Sequence, residues 1–218
     1  MNDIHDWNEW IGTDEAGKGD YFGPLVVAGV YVNAECQDDF LEMGITDGKK
    51  ISNSRVHKLA DWMWKHYEQH IIVSQKMPQE YNSLYETLKK RGQNLNTMLA
   101  KLHVKVIQML ANRMGTNCAL VDKFAHNDVI TPQLVQRDIE IKQETGAERD
   151  IAVAAASVIA RDAFLKGIES LSQKYEMQLP RGAYQVTEAG KEFVKKHGGK
   201  ALRNVAKLHF RTTGNVLA

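Results

Sequence analysis

Two adjacent carboxylates stand at the start of a glycine-rich stretch near the beginning of the chain. The segment Ile11–Pro24 reads IGTDEAGKGDYFGP, and an apolar run leads into Asp14 and Glu15. Adjacent carboxylates at the end of a strand offer the oxygen ligands that hard divalent cations prefer. The Gly-Lys-Gly triplet at 17–19 adds close backbone approach and a positive charge. An Asp-Glu pair more often marks solvated surface, so the strand and the glycines are what favour a metal site here.

The same stretch also fits the phosphate-binding pattern G-x-x-x-x-G-K, running from Gly12 to Lys18. A loop of that type needs a serine or threonine after the lysine to hold magnesium, and here the residue is Gly19. Asp14 and Glu15 would also lie inside the phosphate cradle, where they would repel a polyphosphate. A nucleotide hydrolase is therefore the weaker alternative.

Further acids stand at the ends of other predicted elements. Asp122 ends the apolar run CALVD, and sites in α/β sheets gather outside the carboxyl ends of strands. Glu148 and Asp150 precede an alanine-rich predicted helix. The structural alternatives are a turn or helix cap for Asp122 and helix-dipole partners for the other two. Four clustered carboxylates would hold two magnesium or manganese ions about 3.5–4 Å apart, which can clamp a phosphodiester for attack by water.

Apolar periodicity predicts the elements that must position these acids. Strands are expected over 10–17, 24–32, 71–77, 117–124 and 138–145, and helices over 53–70, 93–114 and 150–168. Two basic segments, 187–199 and 199–210, are also predicted to be helical. This order indicates an α/β fold with a mixed central β-sheet flanked by helices and a helical C-terminal part, as a single domain over 1–218.

Composition sets the broad class of protein. The chain has 218 residues, 43% of them hydrophobic and 25% charged, with a formal net charge of +1. This is enough to bury a core, and the charge balance neither favours nor excludes nucleic acid. Cys36 and Cys118 are too few for a disulfide framework and suit a reducing compartment. The first residues carry acids and no apolar run, and no stretch has the length of a membrane span. We expect a cytoplasmic monomer.

The motif DEAGKGDYFGPLVVAGV resembles the signature of the type 2 ribonucleases H, the family of ribonucleases HII and HIII, and GKGDYFGPL is closest to ribonuclease HIII. Similar segments run from about Ile11 to Thr213: DGKKIS, YNSLYETLKKRGQNLNTMLAKLH, LVDKFA, GAERDIAVAAASVIARDAF, LPRGA and AKLHFRTT. The resemblance implies a ribonuclease H-like fold. It also implies metal-dependent endonucleolytic hydrolysis of RNA in RNA–DNA hybrids, which leaves 3′-hydroxyl and 5′-phosphate ends.

The sequence departs from the ribonuclease HIII pattern at three places. The TATA-binding-protein-like domain that precedes the catalytic domain of ribonuclease HIII is expected to be absent. Gly48 replaces a serine of the family, and the segment between GAE and AAAS is one residue shorter than in the family.

The resemblance also implies roles for the acids. Asp14, Glu15, Asp122 and Glu148 are expected to be catalytic and to hold two Mg²⁺ or Mn²⁺ ions, with Asp150 as the alternative to Glu148. Asp14 would bridge both ions. Because neighbouring side chains of a strand point to opposite faces, Glu15 is expected where the chain leaves the strand, or to contribute its backbone carbonyl.

Substrate contacts are expected from the loop after the acids and from a lysine pair. The predicted set is Gly17, Lys18, Gly19, Tyr21, Lys49 and Lys50. A basic C-terminal set is expected on the hybrid backbone: Arg181, Lys191, Lys195, Lys196, Lys200, Arg203, Lys207 and Arg211. Two alternatives remain open: ribonuclease HII-like incision at single ribonucleotides in DNA, and a non-catalytic hybrid-binding module.

Overall fold

The computed structural model of the chain describes residues 4–46, 51–125, 128–134, 138–183 and 185–218. In these ranges the strands form one five-stranded sheet in the order β3-β2-β1-β4-β5, with bounds β1 Trp10–Ala16, β2 Leu25–Val32, β3 Ile71–Lys76, β4 Cys118–Asp122 and β5 Glu140–Glu144. β1 pairs with β4, and β4 with β5, in parallel. The sheet is mixed and flanked by helices, which confirms the predicted fold class.

The α-helices include two that the periodicity did not predict, α1 and α3. The bounds are α1 Ala34–Glu42, α2 Asn53–Tyr67, α3 Pro78–Lys90, α4 Leu95–Met114, α5 Ile151–Lys174, α6 Thr187–His197 and α7 Thr212–Leu217. Asn33 caps α1 and Pro78 opens α3, both of which are ordinary helix-start signals. Among the described residues, no helix has the length and apolarity that crossing a membrane requires.

The centre of β1 is buried on both of its faces. A Cβ added to Gly12 would stand 2.2 Å from the backbone carbon of Ala152, so α5 crosses this face at a distance that only glycine permits. On the opposite face, the Thr13 hydroxyl lies 2.8 Å from Nδ1 of His103 on α4. A strand that is covered on both faces carries apolar residues at successive positions, as β4 does over 119–121.

The described residues group into two compact units. The first comprises Met1–Glu15, Val27–Ser74 and Leu95–Asp162, and includes most of the sheet and all of α4. The second comprises Ala16–Val26, Gln75–Asn94 and Ala163–Ala218. The single domain over 1–218 stays a prediction.

The prediction of a helix over 199–210 is wrong beyond its first half. A 3-10 helix covers Gly199–Asn204, and the chain then pairs with a loop of the second unit. Ala206 forms an isolated antiparallel bridge with Phe22, and the backbone N–H of Lys207 donates to the carbonyl of Tyr21 at 2.8 Å. These non-local hydrogen bonds compete with the helical ones, and periodicity does not register them.

Candidate active site

The parallel pairing of β1 and β4 sets two carboxylates side by side. Thr13 pairs with Val121, and the same register one residue further on sets Asp14 beside Asp122. Residues in register on adjacent parallel strands project from the same face, and the strands lie roughly 4.8 Å apart. Both acids stand at the carboxyl ends of their strands, and Asp14 is only 2% exposed. The first unit therefore holds a carboxylate pair at the carboxyl ends of two neighbouring inner strands of the sheet.

Glu15 points to the other face of β1, as strand alternation predicts. β1 continues to Ala16, so the chain has not left the strand at this position. The Glu15 carboxylate lies 3.3 Å from Nε2 of His103, a fully buried ring that stacks on Phe124 with 5.0 Å between ring centroids. Of the two expected roles, contribution through the backbone carbonyl is the one this geometry favours. His103 was not among the predicted site residues; its position on the buried face of α4 is the signal that could have identified it.

Glu148 lies on a turn that is bonded directly to Asp122. A 3-10 helix covers Ala147–Arg149 and follows Gly146, whose φ of +69° is left-handed. The backbone N–H of Ala147 donates to Oδ1 of Asp122 at 3.1 Å. Glu148 is partly exposed beside this contact. The turn therefore brings a third carboxyl-bearing residue to the end of β4.

Asp150 has a structural role instead. Its Oδ1 accepts hydrogen bonds from the backbone N–H of Ala152 at 2.9 Å and of Val153 at 3.2 Å, which caps α5. The same oxygen accepts from Nε1 of Trp10 at 3.0 Å, and Oδ2 lies 3.2 Å from Nε2 of His5. Asp150 is 1% exposed. These contacts use the carboxylate for the fold, which favours Glu148 over Asp150 as the fourth acid.

The donor set suits hard divalent cations. It consists of carboxylate and carbonyl oxygens, the ligands that Mg²⁺ and Mn²⁺ take in proteins, and a buried carboxylate pair is stabilised by a nearby cation. In the ranges that the structure describes, no three His, Cys, Asp or Glu side chains are close enough to hold an ion as they stand. Glu148 and Asp122 are both partly exposed, whereas Asp14 is buried.

A cavity of about 420 Å³ opens beside Glu148. Its lining residues are Leu41, Ile45, Thr46, Glu148, Arg149, Ile151 and Ala154. The predicted phosphate contacts Lys49 and Lys50 come shortly after Thr46 in the chain and lie outside the described residues.

The Gly-Lys-Gly segment belongs to the second unit, and its two glycines differ in how tightly they are packed. Gly17 has a φ of +83°, and an added Cβ would stand 2.2 Å from the carbonyl oxygen of Pro24, so the fold itself requires glycine here. An added Cβ at Gly19 would meet no described atom within 4 Å, and its φ is outside the left-handed region. Gly19 is exposed and Lys18 partly so. Packing therefore explains Gly17, whereas a ligand that approaches the backbone would explain Gly19.

The nucleotide-binding alternative does not fit this geometry. A phosphate cradle needs a loop that leads into the N-terminus of a helix. Gly12–Ala16 is instead a continuous part of β1, and the next regular element of the chain is the strand β2. The helix N-terminus that would bind the phosphates is therefore missing from this stretch.

Tyr21 departs from its predicted role as a substrate contact. The side chain is fully buried, its ring centroid lies 4.8 Å from that of Phe22, and its hydroxyl accepts from Thr213 at 3.3 Å. Burial raises the pKa of Tyr21. Tyr21 therefore fills the core of the second unit, together with Phe22.

The basic C-terminal set loses one member. Lys207 is fully buried and so is not part of a surface. The other members are exposed: Arg181, Lys191, Lys195, Lys196, Lys200, Arg203 and Arg211. We call these seven the basic surface. Two of its lysines have local partners, since Lys191 lies 4.0 Å from Glu188 and Lys196 donates to the carbonyl of Glu176 at 3.2 Å.

Comparison with known proteins gives concordant matches. The protein-family model described as Ribonuclease HII matches residues 11–213. Ribonuclease HIII of Protochlamydia amoebophila (strain UWE25) is 39% identical over 210 residues, which cover 95% of this chain and 68% of the relative. Ribonuclease HIII of Chlamydia pneumoniae is 39% identical over 208 residues, covering 93% and 68%. The crystal structure of Bst-RNase HIII in complex with Mn²⁺ superposes with a TM-score of 0.85 at 30% identity, covering 96% of this chain and 69% of that one.

The different roles of Glu148 and Asp150 can be separated by stability. Asp150→Ala removes a helix cap and leaves the buried Trp10 indole N–H without its acceptor, so we expect a loss of about 2–4 kcal/mol in the free energy of unfolding. Glu148→Ala changes a partly exposed side chain and should stay within about 0.5 kcal/mol of the wild type. Urea unfolding measures both. Equal losses in the two variants would contradict this assignment of the acids.

Proposed function

The chain belongs to the ribonuclease HII family and is a ribonuclease H enzyme, and on that premise we propose that it hydrolyses the RNA strand of RNA–DNA hybrids at a divalent-metal site, leaving 3′-hydroxyl and 5′-phosphate ends. The observation that carries the proposal is the carboxylate pair of Asp14 and Asp122, held in register at the carboxyl ends of β1 and β4. The Ala147 contact adds the Glu148 turn to this pair.

Asp14, Asp122 and Glu148 would hold two Mg²⁺ or Mn²⁺ ions through their carboxylates, and Glu15 through its backbone carbonyl. The Mn²⁺ complex of Bst-RNase HIII, a neighbour in fold, supports this choice of ions. Bound divalent ions supply activation of a water molecule and neutralisation of charge on the phosphodiester and the leaving oxygen. No histidine or serine nucleophile is required for that chemistry.

Hydrogen bonds within the first unit orient the Asp14 and Asp122 carboxylates before an ion or substrate arrives. Oδ1 of Asp14 accepts from the backbone N–H of Glu15 at 2.8 Å, and Oδ1 of Asp122 accepts from Ala147. His103 draws the Glu15 side chain to the α4 face. Such preorganisation lowers the cost of arranging charge during the reaction.

The substrate would be recognised by the segment that comes after the acids in the chain. We propose that the Gly19 backbone and the Lys18 side chain contact the nucleic-acid backbone, where the 2′-hydroxyl distinguishes RNA from DNA. The open space at Gly19 supports this. Similarity to the ribonuclease HIII relatives favours a hybrid with an uninterrupted RNA strand as the substrate, and the family model's description, Ribonuclease HII, keeps incision at single ribonucleotides as the second candidate.

Two labelled duplexes test the proposal directly. One has an uninterrupted RNA strand on DNA, and the other has a single ribonucleotide in duplex DNA. With Mg²⁺ or Mn²⁺ the wild type should cleave the first, and Asp14→Asn should lose more than about 100-fold of the rate, because the variant weakens a metal ligand directly. Gel analysis of the products gives the site and the end groups.

The outcomes of that assay are distinct. Cleavage of the single-ribonucleotide duplex in preference to the hybrid would transfer the enzyme to the ribonuclease HII type. A loss of less than about tenfold in Asp14→Asn would contradict the role of Asp14 as a metal ligand. Binding of hybrid with no cleavage of either duplex would indicate the non-catalytic module.

Alanine substitutions at the two glycines of the loop should have different effects, one on hybrid KM and the other on stability. Gly19→Ala should leave thermal stability unchanged and raise the hybrid KM, because the new methyl group occupies space left for the nucleic-acid backbone. Gly17→Ala should destabilise the fold by about 1–3 kcal/mol, because the Cβ meets the Pro24 carbonyl in a left-handed conformation. Thermal unfolding and steady-state kinetics on the hybrid distinguish them. An unchanged KM in Gly19→Ala would remove this residue from the substrate contacts.

We expect the basic surface to make hybrid affinity depend on salt concentration. Neutralising Lys195, Lys196 and Lys200 to glutamine should weaken hybrid binding and flatten the slope of log affinity against log salt, by about 0.7–0.9 for each phosphate that is no longer neutralised. Fluorescence anisotropy without divalent ions measures the slope. Lys65 and Lys89, exposed lysines outside the basic surface, serve as glutamine controls. A slope that stays the same would make these lysines solvated surface.

A further inference from the structure

Lys207 is a fully buried lysine in the second unit, and the proposed chemistry gives it no role. Its relative exposure is 0%, which is rare for lysine, because burying an ammonium is costly unless its protons are bound. The sequence analysis placed it in the basic C-terminal set that was expected on the hybrid backbone. Its position instead requires an explanation from what surrounds its Nζ atom.

The Nζ atom of Lys207 sits where backbone carbonyls of one loop converge. It donates to the carbonyl oxygen of Asp20 at 2.7 Å and of Gly23 at 2.8 Å, with that of Phe22 at 3.5 Å. An ammonium has three donors and no acceptor, so it suits a cluster of carbonyls that a neutral or apolar side chain would leave unsatisfied. Lys207 therefore binds the loop that begins with the Gly-Lys-Gly segment.

The same loop is anchored at its other end and at its middle. A Cβ added at Gly17 would collide with the Pro24 carbonyl, so the start of the loop is packed against its end. Oδ1 of Asp20 accepts from the backbone N–H of Gly182 at 2.7 Å, and the N–H of Tyr21 donates to the Gly182 carbonyl at 2.8 Å. Between these anchors Lys18 and Gly19 form the apex of the loop, which solvent reaches.

The Lys207 ammonium faces one carboxylate and two rings in addition to the backbone carbonyls. Besides the carbonyls there are the Asp20 carboxylate, the Tyr81 ring with its centroid 5.8 Å from Nζ, and His209 two residues along the chain. Burial lowers the pKa of Lys207 to about 7, while Asp20 opposes that shift. Burial and the neighbouring Lys207 lower the pKa of His209 to about 4.

We propose that Lys207 is a positioning residue, which holds the Asp20–Gly23 carbonyls so that the Lys18–Gly19 apex is presented to the nucleic-acid backbone. This inference rests on the proposed function for its substrate, but its mechanical part, the grip on the loop, stands on the second unit alone. Lys207 does not touch substrate; it acts through the loop. Without it, the carbonyls of Asp20, Phe22 and Gly23 lose this donor, and the loop must rearrange to find others.

Lys207→Met tests the proposal, since methionine nearly conserves volume and removes the donors. Hydrogen exchange of the amides at 17–23, measured without substrate or metal, should accelerate selectively in this variant. Hybrid affinity measured by anisotropy in EDTA should fall by about tenfold or more, because displacement of the Lys18–Gly19 apex weakens its contact with the nucleic-acid backbone. The kcat at saturating hybrid should change much less than KM. Lys207→Arg, which keeps charge and donors, should recover part of the affinity.

Gly190→Ala is the matched control for general destabilisation of the second unit. Its Cβ would meet Val216 at 2.4 Å, so it should lower stability without touching the loop. Unchanged exchange at 17–23 in Lys207→Met, or equal acceleration there in Gly190→Ala and Lys207→Met, would overturn the proposal. Should Lys207→Met fail to fold, Lys207→Gln retains two donors in a shorter side chain. In Lys207→Gln, faster amide exchange at 17–23 should be accompanied by weaker hybrid affinity. A change in one of these without the other would overturn the proposal.

The pH dependence of stability gives a readout that substrate cannot affect. Because the folded-state pKa of Lys207 is depressed to about 7 from the usual 10.5, the unfolded chain binds the extra proton between these two values. Wild-type stability therefore has a component that rises with pH over this window, and Lys207→Met should lack it. A wild type that neither binds nor cleaves hybrid would contradict the proposed function, whereas the exchange result at 17–23 would still decide whether Lys207 holds the loop.

Discussion

The proposed site depends on a single constraint, the parallel register that sets Asp14 beside Asp122. Two carboxylates at neighbouring positions of adjacent strands repel each other, and the near-complete burial of Asp14 strengthens that repulsion. A cation bound at this position would offset that repulsion. Charge repulsion of this kind is a cost that proteins accept at functional sites.

The rest of the first unit serves to hold that pair in place. Gly12 lets α5 approach β1 at backbone distance, and His103 on α4 holds the Glu15 side chain on the opposite face. Asp150 caps α5 and binds Trp10, so it fixes the helix that covers the site without entering it. Acids that are close in the sequence therefore differ in role: Asp14 is a proposed ligand, Glu15 is proposed to contribute its backbone carbonyl, and Asp150 caps α5.

Much of this was predictable from the sequence, and the remainder has identifiable causes. β1, β4, α4 and α5 are long or strongly apolar, so their patterns indicated them, and strand alternation placed Glu15 opposite Asp14. The preference for Glu148 over Asp150 came from the family resemblance, and one of the contacts that support it comes from Trp10, 140 residues away, which no local pattern indicates. The burial of Lys207 escaped prediction for a similar reason, since its acceptors lie 184 to 187 residues earlier in the chain. The predicted contacts Lys49 and Lys50 lie outside the described residues and stay predictions.

The central claim, that the Asp14–Asp122 pair is a cation site, is tested most directly by thermal unfolding with increasing Mn²⁺ and no nucleic acid. A cation that binds the folded state alone raises Tm in a concentration-dependent way. We expect the wild type to gain stability with Mn²⁺, and Asp14→Asn to be at least as stable as the wild type in EDTA but to gain little from Mn²⁺. Equal Mn²⁺-dependent gains in both proteins would contradict the claim, because the ion would then bind elsewhere.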